Sequence, residues 1–264
     1  MSIRTFCRTL VRRTEIPLAE RCRLQRMPWF THTTTRLFGK TIQICDACSF
    51  LVGLNEIFGR QNYAFVSDRE TPLILDCGAN IGLSCIYFKR RYPASRITAF
   101  EADPDICDVL RHNLDAFGLA DIAVVNGAVW DSDAKVDFVP EGGFSGRVPL
   151  PNESVGNHAK KTVQAVRLRD HLEVAVDFLK MDIEGAETRV LLDCAARLQN
   201  VKRCFIEYHA PEDGEQTLHT LLDVLHRAGF RYHVKEAYAA AHPFAQRPAL
   251  GGMEFQAEIY AYRP

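Results

Sequence analysis

The ten residues Leu73 to Gly82, LILDCGANIG, constrain this chain more than any other stretch. Leu73 to Leu75 read as a strand buried on both faces. Asp76 closes it. Gly78 and Gly82 follow, which lets the backbone turn tightly and lets a ligand approach it closely. Leu83 to Arg91 then reads as a helix whose first N–H groups face that ligand. A second strand, Arg96 to Glu101, places another acid at its end about one βα unit later. Strand, glycine turn, helix and strand in this order belong to a parallel α/β sheet, with the ligand at the C-terminal strand ends near the switch point.

The residue types choose between ligands. A dinucleotide site prefers G-x-G-x-x-G beside the pyrophosphate. Here Asn80 replaces a glycine, and Asp76 carries a charge that repels a pyrophosphate. Pointing into the pocket, Asp76 suits a ligand with an ammonium group, such as the methionine part of S-adenosylmethionine. Glu101 is placed to accept hydrogen bonds from both ribose hydroxyls. Singly, Asp76 reads equally well as a helix cap and Glu101 as an exposed strand-end acid. Together with the glycines and the spacing they favour a nucleotide-type ligand.

Composition narrows the class. At 264 residues, 47% hydrophobic and 25% charged, the chain suits one large α/β domain. Its net charge of −1 gives no field that would point to nucleic acid. The charge is uneven, because residues 1–29 hold seven arginines against Glu15 and Glu20. That start is read as a solvated lead-in helix rather than a transit peptide or a lipid-touching helix. No apolar run approaches a membrane span. Nine scattered cysteines fit buried free thiols in a reducing cytoplasm, and Cys45 with Cys48 forms a lone C-x-x-C, too little for a zinc or redox site.

Along the chain, residues 1–70 form a lead-in, with a short strand at 43–45, a helix or long turn at 49–58 and an extended piece at 62–66. From residue 71 a regular alternation begins, and 71–264 is expected to be one domain. Strands fall at 73–76, 96–101, 122–126, 162–167, 177–181 and 202–208, with further extended pieces in 128–139. Helices fall at 83–91, 104–117, 186–198 and 215–228. Pro104 and Gly118 mark the start and stop of the second helix. Segments 231–236 and 253–262 close the sheet as an antiparallel pair at its edge, separated by a loop at 237–252. Residues 141–157 form a polar loop too long to be idle. The expected fold is a Rossmann-like, mostly parallel seven-stranded sheet with helices on both faces.

A second cluster lies at Asp182, Glu184 and Glu187, after the apolar strand residues Phe178 and Leu179. Three carboxylates in six residues at a strand end are costly unless they bind something. Helix capping by Asp182 is the plainer alternative. The next strand carries Glu207 and His209, which alternate onto one face and reach the same crevice. A histidine there can serve as a general base near neutral pH. Asp182, Glu207 and His209 are instead a candidate set for one divalent cation such as Mg²⁺.

These elements resemble the FkbM family of S-adenosylmethionine-dependent methyltransferases. The resemblance rests on Asp76-x-Gly78-Ala79-Asn80-Ile-Gly82, Phe100-Glu101-Ala102-Asp103-Pro104 with Asn113 downstream, Lys180-Met-Asp182-Ile-Glu184-Gly-Ala-Glu187, and Ile206-Glu207-Tyr-His209. It covers about residues 45–235, and Asp46 to Phe50, Glu56 to Phe58 and Tyr63 resemble the family's lead-in. Ala102 departs from the family's proline at that position. The resemblance implies O-methylation of a hydroxyl on a sugar, polysaccharide or secondary metabolite. It implies that Asp76, Gly78, Ala79, Asn80 and Gly82 line the methionine end of the cofactor and that Glu101 holds the ribose. Ala102 and Asp103 would lie near the adenosine, Asn126, Gly127 and Ala128 would flank the adenine, and Phe144 and Ser145 would cover it. Asp182 would sit at the pocket mouth. His209 or Asp182 would be the base, supported by Glu184 and Glu207. An NAD-type oxidoreductase, a nucleic-acid methyltransferase and a non-catalytic binding module on the same fold are the rival readings.

Overall fold

The structure is a computed structural model that describes residues 16–141, 146–149, 160–212 and 214–263. The lead-in holds helix α1 (Leu18–Leu24), the hairpin β1 (Thr33–Leu37) and β2 (Lys40–Ile44), and α2 (Ala47–Leu54), which continues into a π-turn at Asn55–Gly59. Then come β3 (Leu73–Cys77), α3 (Leu83–Arg91), β4 (Arg96–Glu101), α4 (Pro104–Ala116), β5 (Ala123–Asn126), β6 (Ala128–Trp130), β7 (Lys135–Phe138) and β8 (Lys161–Arg167). After a 3-10 turn at Leu168–Leu172 the chain forms β9 (Phe178–Met181), α5 (Glu187–Cys194), β10 (Arg203–Pro211), α6 (Leu218–Arg227), β11 (Arg231–Ala239) and β12 (Met253–Tyr262).

Seven strands form one sheet in the order β11-β12-β10-β9-β3-β4-β5. The five from β10 to β5 run parallel. β12 slots between β10 and β11 and pairs antiparallel with both. The fold is therefore the expected Rossmann-like sheet. One face carries Ile74, Ala99, Phe178 and Phe205 against α2, α3, α4 and the lead-in. The other carries Leu75, Phe100, Leu179 and Ile206 against α5 and α6. Burial on both sides explains why these strands are nearly continuous apolar runs.

Local capping follows the residue types. Asp103 caps α4 by accepting from the N–H of Asp105, with Pro104 in the first turn. Asp46 caps α2 through the N–H groups of Cys48 and Ser49. Asn113, fully buried, donates to the carbonyls of Gln43 and Ile81 and accepts from the N–H of Gln43, which ties the lead-in hairpin to α4 and to the glycine turn.

Four expectations change. Residues 62–66 form no strand, and Tyr63 and Phe65 there are held by side-chain packing instead, against Phe88, Phe205 and Phe178. Strand 161–167 leaves the main sheet and joins β6 and β7 in a separate three-stranded sheet. Its alternation of buried Val163 and Ala165 with exposed Thr162 and Gln164 suits a sheet with one wet face. Helix 186–198 ends at Cys194 and continues as a 3-10 turn to Asn200, and β11 runs on to Ala239, shortening the loop after it. In the arginine-rich start, Arg23 is held by both carboxylate oxygens of Glu20, while Arg4, Arg8, Arg12 and Arg13 lie outside the described residues. Most of the 141–157 loop, including Phe144 and Ser145, also lies outside them. No helix among the described residues is long and apolar enough to cross a membrane.

Candidate active site

Strand register lines up one row of side chains across the sheet. Tyr260 pairs with Phe205, Phe205 with Lys180, Lys180 with Asp76, and Asp76 with Ala99. One pleat further toward the C-terminal strand ends, the same face carries Glu258 opposite Glu207, then Asp182, Gly78, Glu101 and, paired with it, Asn126.

At the glycine turn, Gly78 and Ala79 both donate backbone N–H bonds to Phe100, and Asp182 donates to Cys77. The three strand ends are thereby stitched together. Gly78 has φ of 81°, and a Cβ there would lie 1.9 Å from the carbonyl oxygen of Asp182. Only glycine fits. Gly82, also left-handed, packs against Leu110 at the start of α3. Asn80 adopts φ of 48° and turns its side-chain oxygen to the N–H of Ile81. Ala79 belongs to the core.

Glu101 is buried, and each of its oxygens accepts one backbone N–H, from Asn80 at 2.8 Å and from Asp103 at 2.9 Å. Burial nevertheless pushes its carboxyl up to about 7. Asp103 is engaged in capping and with Lys161 at 3.0 Å. Asn126 is exposed and donates to the carbonyls of Glu101 and Ala102. Gly127 donates to Glu101, and a side chain there would strike Val166. Ala128 faces a small core with Phe138 and Val163, against which Ala102 packs.

Asp76 departs from the reading of an acid pointing at a ligand. It has no exposed surface. Oδ2 accepts from the hydroxyl of Ser84 at the start of α3, and Oδ1 faces the ammonium of Lys180 at 3.6 Å. Asp76 thus contacts Lys180, which in turn donates to the Gly78 carbonyl. It is not the cap of α3, a place taken by Gly82.

Lys180 is the residue to which the motif reading gave no role. It is 3% exposed, donates to the carbonyl of Gly78 at 2.6 Å, and lies 3.3 Å from Asp182. Burial opposes its charge, but Asp182 and then Asp76 outweigh that and hold the ammonium above its ordinary value. A lone lysine in an otherwise apolar strand was the signal available in the sequence, while its register with Asp76 was not.

The second cluster assembles as expected and gains members. Asp182 does not cap α5, whose N-cap is Ala186. Glu184, at φ of 57°, and Gly185, at 106°, bend the chain so that Glu184 returns over the strand ends. Glu187 is fully buried and clamps that bend by accepting from the N–H groups of Ile183 and Gly185. It also takes Nδ1 of His209 at 3.0 Å, while Nε2 of His209 lies 3.6 Å from Glu184. Ligand atoms of Asp182, Glu184 and His209 all lie within 4.8 Å of one another. The set of three thus contains Glu184, where the sequence reading had Glu207.

Protons are drawn into this cluster. Burial, more than the repulsion from Asp182, pushes Glu184 up to about 8 and holds Glu207 well above the carboxylate range. Burial opposes a charge on His209, but Glu184 and Glu187 outweigh it and raise the imidazole well above its ordinary value. With Nδ1 committed to Glu187, only Nε2 of His209 is left to face the cluster. From the lead-in, Glu56 on the π-turn reaches the same region, pushed up to about 7 by burial and by Glu258. Glu258 is in turn held by Asn62 and Tyr260. Residues 56 and 258 lie far apart in sequence and carry no local signature, so pattern reading could not pair them.

A sequence model of the methyltransferase FkbM domain matches residues 76–232. The chain is similar to methyltransferase sdnD of Sordaria araneosa, 33% identical over 171 residues that cover 52% of this chain and 65% of that protein. It is also similar to the 2-O-methyltransferase NoeI of Sinorhizobium fredii, 26% identical over 60% of this chain and 72% of that one. The solved structure of a methyltransferase FkbM from Methylobacillus flagellatus superposes with a TM-score of 0.51 at 15% identity, over 82% of this chain and 53% of that one. That likeness supports the fold, and the chain spans only about two thirds of sdnD and half of the solved protein. The matched span exceeds half of the 264 residues and contains the glycine turn, Glu101, the Asp182 to Glu187 bend and His209, and the chain belongs to the FkbM methyltransferase family.

Proposed function

We propose that this chain transfers a methyl group from S-adenosylmethionine to a hydroxyl of a small-molecule or carbohydrate acceptor. The observation that carries the reading is Glu101, a buried strand-end carboxylate oriented by the N–H groups of Asn80 and Asp103 beside a turn that admits only glycine at Gly78. Each oxygen spends one acceptor site on the backbone and keeps one for a vicinal diol such as a ribose. The cofactor would supply an activated methyl, whose C–S bond breaks as the C–O bond forms. Gly78, Asn80 and Gly82 would shape its methionine end, and Asn126 and Gly127 would flank its base.

Positioning and proton removal fall to the protein. With His209 buried and oriented by Glu187, we assign the proton acceptor to Asp182, which is part-exposed and next to Gly78 in the row. Lys180 orients it, and Glu184 and Glu207 line the acceptor side. Residues 1–70 act as a lead-in that shapes this side of a methyltransferase domain at 71–264, through Glu56, Asn62 and Tyr63. The name of NoeI, a 2-O-methyltransferase, supports a hydroxyl acceptor, and the acids around Asp182 suit an acceptor rich in hydroxyl donors rather than a nucleic-acid backbone. Six buried free cysteines among the described residues support a reducing, cytoplasmic setting.

Calorimetric titration with S-adenosylmethionine, S-adenosylhomocysteine and NAD tests the reading. Micromolar binding of the first two, lost in Glu101→Gln, is expected. A folded chain that binds NAD and neither adenosyl ligand would refute it and restore the oxidoreductase alternative.

A further inference from the structure

We propose that Asp182, Glu184 and His209 hold a divalent cation of the Mn²⁺ or Mg²⁺ kind on the acceptor side of the pocket. The inference rests on the methyl-transfer reading for the cation's purpose, not for its presence. Three donor atoms from two strand ends and one bend lie within 4.8 Å of one another, and an ion between them would draw them in toward the edges, about 3 Å long, of its octahedron.

The histidine supplies the independent observation. His209 is only 4% exposed, and Nδ1 is committed to Glu187 at 3.0 Å. Nε2 faces the cluster, where a carboxylate oxygen of Glu184 lies 3.6 Å away, within ion-pair range but beyond hydrogen-bond reach. Glu187 is itself fixed by two backbone N–H groups, so the ring cannot turn without breaking that network. A carboxylate that orients one ring nitrogen while the other faces two acids is how proteins present histidine to a metal. Two carboxylates and one imidazole suit Mn²⁺ or Mg²⁺ better than a thiophilic ion, and three protein ligands leave positions open for acceptor oxygens. Lys180, 3.3 Å from Asp182, would share that carboxylate with the ion.

The test uses the whole chain, stripped with EDTA and titrated with Mn²⁺ alone, with free Mn²⁺ followed by electron paramagnetic resonance. One equivalent per chain is expected, weakened ~10-fold or more in Glu184→Gln and in His209→Ala. Asp223→Asn, at an exposed ion pair on α6, should bind as the wild type does. Absence of stoichiometric binding by the wild type, or binding unchanged in both site variants, overturns the proposal. Should the variants fail to fold, paramagnetic broadening of the His209 ring signals in the wild type decides, and unbroadened signals refute it. Titration of the same metal-free samples with S-adenosylhomocysteine reports on the methyl-donor reading separately.

Discussion

Glu101→Gln turns the burial of one carboxyl into a measurable slope. Burial raises Glu101 from an ordinary value of 4.5 to about 7. Between those values the folded protein binds a proton that the unfolded chain has released. Stability is therefore greatest below pH 4.5, falls as the pH rises toward 7, and levels off above it. A difference of roughly 2.5 pH units at about 1.4 kcal/mol each corresponds to a total loss of about 3.5 kcal/mol. Glutamine has no such titration. It also offers one acceptor oxygen where glutamate offers two, so one of the N–H groups of Asn80 and Asp103 loses its partner. That costs about 1–3 kcal/mol at every pH. The variant should be the less stable protein at pH 5, and the gap should close or reverse by pH 8. Urea unfolding of both proteins at half-unit intervals measures it. Glu56 and Glu184, raised in the same sense, tilt both curves alike and cancel in the difference. Parallel stability curves from pH 5 to 8 would refute the argument, because they would mean that Glu101 is ionised in the folded state throughout.

Gly78→Ala puts a Cβ 1.9 Å from the backbone of Asp182 at a left-handed φ, and should cost more than ~4 kcal/mol or prevent folding, read by soluble yield and chemical denaturation. Lys180→Met strands the carboxylates of Asp76 and Asp182 without their shared cation, a loss of about 3–5 kcal/mol by urea unfolding. Adding Asp76→Asn to Lys180→Met should recover part of that loss, and no recovery would show that the ion pair is not its source. Asn113→Ala removes three buried hydrogen bonds between the hairpin, α4 and the glycine turn, and should cost about 2–4 kcal/mol. Hydrogen exchange at Gln43 should rise in step, and unchanged exchange there would deny that Asn113 anchors the lead-in.

What the sequence made legible is what local chemistry dictates. The glycine turn, the caps at Asp103 and Pro104, and the buried strand runs each depend on residues a few positions apart, and the structure places them as the pattern predicts. The departures come from long-range competition. Strand 161–167 has ordinary strand chemistry, but nothing in it says which sheet it will join, and pairing with β6 and β7 took it. Asp76 reads as a ligand-facing acid until Lys180, more than a hundred residues later, fills the space in front of it. His209 reads as a lone strand-end histidine, whereas in the fold Glu187 takes its Nδ1 and Glu184 stands 3.6 Å from Nε2. In each case the residue type was readable and its partner was not.

Charge is distributed unequally between the two ends of this sheet, and the inequality supports the proposed site. At the N-terminal edge the one fully buried acid, Asp177, is answered by Arg69 at 3.4 Å and Lys202 at 3.1 Å and also holds the N–H of Leu73. That is how a fold accommodates an acid it uses only as a brace. At the C-terminal edge Glu258, Glu207, Asp182, Glu184 and Glu187 gather on one face around Lys180 and His209, with Glu56 brought in by the lead-in. More carboxylates than cations stand there, and burial together with their mutual repulsion raises Glu184, Glu207 and Glu56 above the carboxylate range. Such an excess destabilises the chain on its own. It becomes favourable only with hydroxyl donors or a cation to satisfy it, which is the environment an acceptor hydroxyl needs beside an activated methyl group. The division runs through Gly78, with Glu101, the carboxylate proposed to hold the ribose, on the β4 side and the unmatched acids on the β10 side, so that one turn without a side chain separates the half that would bind the donor from the half that would activate the acceptor.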